Sequence, residues 1–203
     1  MKEILAIGLP VTLQSIFQAS YSFVDQLMVG TLGTVGIAGS GLGGKFSSLV
    51  TFTLNAVAAV ASVLIAQYHG TKDEKGISKS FYTCSLIAGI VALLFAVPGF
   101  LCPEVIMGIY SNEQDVILVA ASYLRIIAIS YIPMTATLML SALFRSVEKS
   151  KYPMYVSVLA VFANVFFNWL LIFGKWGCPR LGIIGAAYGT LISRALEAAI
   201  LVV

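Results

Sequence analysis

The sequence predicts an all-α integral membrane protein, a bundle of six transmembrane helices. Composition is the first reason: 59% of the 203 residues are hydrophobic, 10% are charged, and the mean hydropathy is +0.96. A soluble domain carries about 25% charged residues, far more than 12 basic and 9 acidic side chains supply here. Span length is the second. Six stretches, 4–30, 46–68, 81–101, 117–144, 152–173 and 183–203, reach the roughly 20 apolar residues that a membrane-crossing helix needs. The third is periodicity: the runs are apolar on every face and lack the alternation of barrel strands.

The charge deficit excludes disorder, coiled coil and nucleic-acid binding, and a net charge of +3 is too small and scattered for a phosphate-binding footprint. Three cysteines do not make a disulfide scaffold. Cys102 and Cys178 both fall near the outer face, where free thiols are expected and a disulfide is the alternative.

The first span contains Gln14, Gln18 and Asp25 and has no small-residue cleavage site after a compact apolar core, so it does not read as a signal peptide. The second follows Gly39-Ser40-Gly41-Leu42-Gly43-Gly44, which formally matches a dinucleotide fingerprint. No strand precedes it, and Ala59-Val60-Ala61 stands where the acid belongs, so it reads as a flexible entry to the second span. Pro10, Pro98 and Pro133 lie within or at the edge of spans, where each removes a backbone hydrogen bond and can bend its helix. Pro10, on the same helix as Asp25, is the one expected to matter in a conformational change. The sixth span carries Gly185-Ala186-Ala187-Tyr188-Gly189, a small-xxx-small surface for close helix packing. Joining segments of about seven to fifteen residues leave no room for a soluble domain.

Loop charge orients the bundle. With the N-terminus inside, Lys2, Lys72, Lys75, Lys79, Arg145, Lys149 and Lys151 are cytoplasmic, against Lys45, Lys175 and Arg180 outside. Both ends are therefore expected in the cytoplasm. The chain stops at Leu201-Val202-Val203 in apolar sequence without a basic stop, which predicts half of a longer transporter.

An ionisable residue inside a span is a functional candidate. Asp25 lies five residues from the outer end of the first span, Asn168 five from that of the fifth, and Thr190 seven from that of the sixth. At 1.5 Å per residue these three share a depth of about 7–10 Å. Asn164 is one turn deeper, on the same face as Asn168. One carboxylate with amide and hydroxyl oxygens suits a sodium ion, or a proton on the carboxylate; as interhelical glue the amides and hydroxyl need no ion. Arg194 and Glu197, three apart near the inner end, read as a supporting pair. Arg125 either snorkels to the outer surface or neutralises Asp25. His69 stands alone, no catalytic constellation is visible, and no enzyme is indicated; apart from sodium, no metal and no other cofactor is expected.

Leu9-Pro10, Val24-Asp25 with Gly30 and Gly33, Gln67-Tyr68-His69-Gly70, Tyr123-Leu124-Arg125, Arg145-Ser146, Asn164 and Asn168 running to Phe173-Gly174, and Leu181-Gly182-Ile183-Ile184-Gly185-Ala186-Ala187 leading to Thr190 occur in this order. Together they resemble the N-terminal lobe of the multidrug and toxic compound extrusion (MATE) transporters of the NorM/DinF type, over essentially all of residues 1–203. The resemblance implies one six-helix lobe of a twelve-helix antiporter in the cell membrane, exporting drugs, organic cations or metabolites by alternating access in exchange for sodium ions or protons. It also implies a missing C-terminal lobe as partner, and a cation site at Asp25, Asn164, Asn168 and Thr190. Some members have an aspartate where this chain has Asn168, which leaves one carboxylate in the site. A lipid-linked oligosaccharide flippase of the same superfamily is the alternative, although its cavity should carry more cationic groups.

Overall fold

The computed structural model describes residues 12–17, 23–24, 26–31 and 33–202. Among them are five helices long and apolar enough to cross a membrane. These are α1 (Thr34–Gly70), α2 (Glu74–Leu101), α4 (Gln114–Ser146), α5 (Lys151–Phe173) and α6 (Ile183–Val202), with a short α3 (Pro103–Gly108) between α2 and α4. The expected first span falls only partly within the described residues, and 12–17, 23–24 and 26–30 of it are helical. Pro10 and Asp25 lie outside the described residues.

Every long helix turns large apolar residues outward, while α1 and α4 also bury bulky ones such as Leu54, Ile65, Leu124 and Tyr131. On α2 the buried stripe is Cys84, Ala88, Ala92, Ala96 and Gly99, while Tyr82, Leu86 and Leu94 are exposed. A soluble helix does the reverse, burying its bulk to escape water. Lipid gives that escape on the outside, so close backbone approach decides which face turns inward. α4 is the hub, packed against α1, α2 and α6, and α5 leans on α6. Across the α1–α4 contact, the Ser146 hydroxyl of α4 donates to the Ser62 carbonyl of α1 at 3.0 Å.

The helix ends follow local chemistry. Asp73 begins α2 by accepting the Gly76 amide on Oδ1 at 3.0 Å, an N-cap satisfying a donor the helix leaves over. α5 ends at Gly174, whose left-handed φ of 65° suits glycine. A Cβ there would also stand 2.8 Å from the Arg180 amide nitrogen.

One expectation is overturned. The glycine-rich segment 39–44 is no flexible entry but part of α1, a helix of 37 residues, about 55 Å long at 1.5 Å per residue. Lys45 accordingly stands inside a helix and not in an outer loop. Glycine is a poor helix former, but here it is required by packing. A Cβ at Gly39 would lie 2.7 Å from Val119 Cγ1, and one at Gly43 would lie 2.6 Å from the Tyr123 ring, both on α4. The missing side chains let the two helices meet.

Cys84, Cys102 and Cys178 are free thiols, as expected for Cys102 and Cys178.

Candidate functional site

α5 reverses the usual helix pattern: its buried stripe is Pro153, Ser157, Asn164, Asn168 and Ile172, while Tyr155, Leu159, Phe162 and Phe166 face outward. Polar side chains in this bundle can find partners only inward. Asn164 and Asn168 are 1% and 0% exposed. Asn168 Nδ2 donates to Asn164 Oδ1 at 2.9 Å. Asn164 Nδ2 reaches Ser193 Oγ at 3.3 Å and Thr190 Oγ1 at 3.4 Å across the seam with α6, and Ser193 Oγ donates to the Thr190 carbonyl at 3.0 Å.

The glycines of α6 make this approach feasible. A Cβ on Gly185 would sit 2.7 Å from the Leu171 carbonyl and 2.9 Å from the Ile172 amide, and a Cβ on Gly189 would run into the Asn168 amide group. The small-xxx-small reading of 185–189 is borne out in position and in cause.

Three of the four candidate cation-site residues thus meet in one buried cluster, while Asp25 lies outside the described residues. The geometry changes the depth argument in one respect. Asn164, and not only Asn168, stands level with Thr190, to which it is hydrogen-bonded across the α5–α6 crossing. Ser193 belongs to the cluster and went unremarked in the sequence, although it is one turn from Thr190. The side-chain oxygens gathered here are amide and hydroxyl oxygens, whose chemistry suits a hard monovalent cation if a carboxylate supplies the charge. Among the described residues no group of three or more His, Cys, Asp or Glu stands together.

A cleft of about 760 Å³ opens beside the cluster, walled by the first span, α1, α4 and α6. Its lining mixes hydroxyls (Ser40, Ser47, Ser48, Thr51) with the rings of Phe23, Tyr123 and Tyr131, and it carries Lys45 and Arg194. Tyr131 is braced by a 3.0 Å hydrogen bond to Ser47 across α1 and α4. Thr190 lines this cleft and also belongs to the buried cluster, so one side chain touches both compartments.

Arg125 is exposed on α4, as a snorkelling side chain would be. Arg194 and Glu197 are paired at 3.4 Å, as the spacing predicts.

The chain matches the MatE family over residues 10–170. It belongs to that family. Members are transporters. The chain is 28% identical over 192 residues to a probable multidrug resistance protein NorM of Halalkalibacterium halodurans, covering 95% of this chain and 42% of that protein. It is 30% identical over 191 residues to the Streptococcus pneumoniae protein of the same description, covering 93% and 42%. It therefore spans less than half the length of these relatives. The fold superimposes on a multidrug resistance MATE family transporter in an outward-facing conformation with a TM-score of 0.89 at 18% identity, covering 98% of this chain and 44% of that one. A transporter of the wider MOP superfamily from Pyrococcus furiosus gives a TM-score of 0.89, also at 18% identity, with 98% and 43% covered. The MatE chain is a multi-pass membrane protein with the fold of one transporter lobe.

Proposed function

We propose that this MatE chain forms the cation-coupling lobe of an antiporter that exports drugs, organic cations or metabolites across the cell membrane by alternating access. The observation that carries the reading is Thr190, which lines the substrate-sized cleft and bonds to buried Asn164. An ion exchanged at the cluster, with Asp25 supplying charge, would alter the cleft wall directly. Relatives more than twice the length of the matched region support a second lobe completing the substrate path. Both relatives are described as probable multidrug resistance proteins, which favours multidrug export over lipid-linked oligosaccharide flipping.

The test is coupled transport by the full-length protein in reconstituted vesicles, with the ion varied. A sodium site makes added sodium stimulate export at fixed pH, and a proton site gives pH dependence without a sodium effect. Asn168→Ala and Thr190→Ala each remove one neutral oxygen, so each should weaken the apparent affinity for the coupling ion about 5- to 10-fold, from about 1–1.4 kcal/mol per lost interaction. Unchanged ion dependence in both variants would dismiss the cluster as the coupling site.

The orientation is proposed from the basic loops. Single cysteines in the 71–73 and 147–150 segments, in a background without Cys84, Cys102 and Cys178, should resist a membrane-impermeant thiol reagent in intact cells. Ready labelling of both segments would invert the topology.

A further inference from the structure

Two turns inward from the Asn164 cluster, the α5–α6 seam holds a carboxylate that the cation site does not use. Glu197 is 3% exposed. Its Oε1 accepts a hydrogen bond from Ser157 Oγ at 2.8 Å, and its Oε2 faces Arg194 Nη1 at 3.4 Å. The second distance exceeds the roughly 2.7–2.9 Å of a charge-assisted hydrogen bond. Ser157 in turn accepts from Gln14 Nε2 at 2.9 Å, and Gln14 is 5% exposed. One hydroxyl therefore ties the first span to α5 and α6. A carboxylate offers about four acceptor sites, and this one has a single short partner and one long ion pair. Ionised and buried, it is under-compensated. Arg194, its charged neighbour, is partly exposed and lines the cleft, so water reaches the pair from that side.

We propose that Glu197 is a proton-binding site, taking a proton from water in the cleft and returning it there. In the ionised state Ser157 donates to Glu197, and the charge polarises the chain from Gln14 through Ser157. When Glu197 binds a proton, its new O–H donates to Ser157 Oγ and the Ser157 hydroxyl turns to another acceptor. No charge then polarises the Gln14 bond, and the first span is held less firmly. Among the described residues, the groups bonded to Glu197 or to its partner are few. Its own helix brings Arg194, α5 brings Ser157, and the first span brings Gln14. On the inner half of α4, Tyr131 is bonded to Ser47 and Arg145 donates through Nε to the Ser141 carbonyl.

Proton binding follows from this geometry alone, whereas its use in export rests on the antiporter reading. The experiment needs no transport, so the two can fail separately. Infrared difference spectra of the purified chain in lipid nanodiscs, taken across a pH titration, should show a protonated-carboxyl band. Glu197→Gln should remove it and Asp25→Asn should leave it. A set of bands unchanged by Glu197→Gln would overturn the proposal. Ser157→Ala keeps the carboxylate but removes its hydrogen-bond partner, so the band should shift in wavenumber. This variant carries the test if Glu197→Gln does not insert, and an unmoved band would overturn the role of Ser157. Amide exchange around Gln14 should quicken at low pH in the native chain and lose its pH dependence in Glu197→Gln. The same exchange at both pH values in the native chain would overturn the tie to the first span.

Discussion

Asp25→Asn is expected to abolish cation-driven export while the protein still inserts and folds. The substitution removes a charge at nearly constant volume, so packing has little reason to change. A carboxylate within a membrane span is expensive and is retained when an ion or proton compensates it. Reconstituted vesicles of the full-length protein under an imposed sodium or proton gradient give the measurement. The gradient-driven component should fall to the level of empty vesicles, with substrate binding retained. Normal coupled transport by Asp25→Asn would remove this residue from the mechanism and leave it as a structural partner.

Gly185→Val should have the largest effect on stability. Even the first carbon of the new side chain would stand 2.7 Å from the Leu171 carbonyl and 2.9 Å from the Ile172 amide. Both are backbone atoms and cannot rotate away. α6 would have to withdraw from α5, stretching the Asn164 bonds to Thr190 and Ser193 that are already 3.3–3.4 Å long. Overpacking of this kind costs about 1–3 kcal/mol. Thermal unfolding in detergent should shift markedly downward and the variant should lose its ion dependence. Gly89→Ala is the control, since nothing lies within 4 Å of its Cβ; it should be neutral or stabilise the helix by up to about 1 kcal/mol. Equal stability of Gly185→Val and the native protein would contradict the close α5–α6 contact.

Most of the polar seam was legible before any coordinates. Asn164 and Asn168 announced themselves because an amide in an apolar run must find a partner, and their spacing put them on one face. Gly185 and Gly189 did so for the same reason of spacing. Ser157 was silent and Gln14 showed only as a polar residue of the first span, since a Gln or Ser in a span has many harmless explanations. Their bond joins positions 143 residues apart, a pairing that no local pattern encodes. The glycines of 39–44 misled in the opposite direction. Their composition suggests a loop, and only the presence of Val119 and Tyr123 across the seam makes Gly39 and Gly43 helix-contact residues.

The division has a physical origin. Transfer of an apolar run into lipid depends on that run alone, so the spans, the membrane class and the existence of costly polar residues within it are written along the chain. Which face of each helix turns inward depends on which backbones can approach, and that is a property of pairs of helices. The bonding of Thr190 to Asn164, the helical state of 39–44 and the tie from Gln14 through Ser157 to Glu197 all arise at that level. They exist because α4 and α6 come close enough to their neighbours for short side chains to meet, a distance set jointly by residues far apart in sequence.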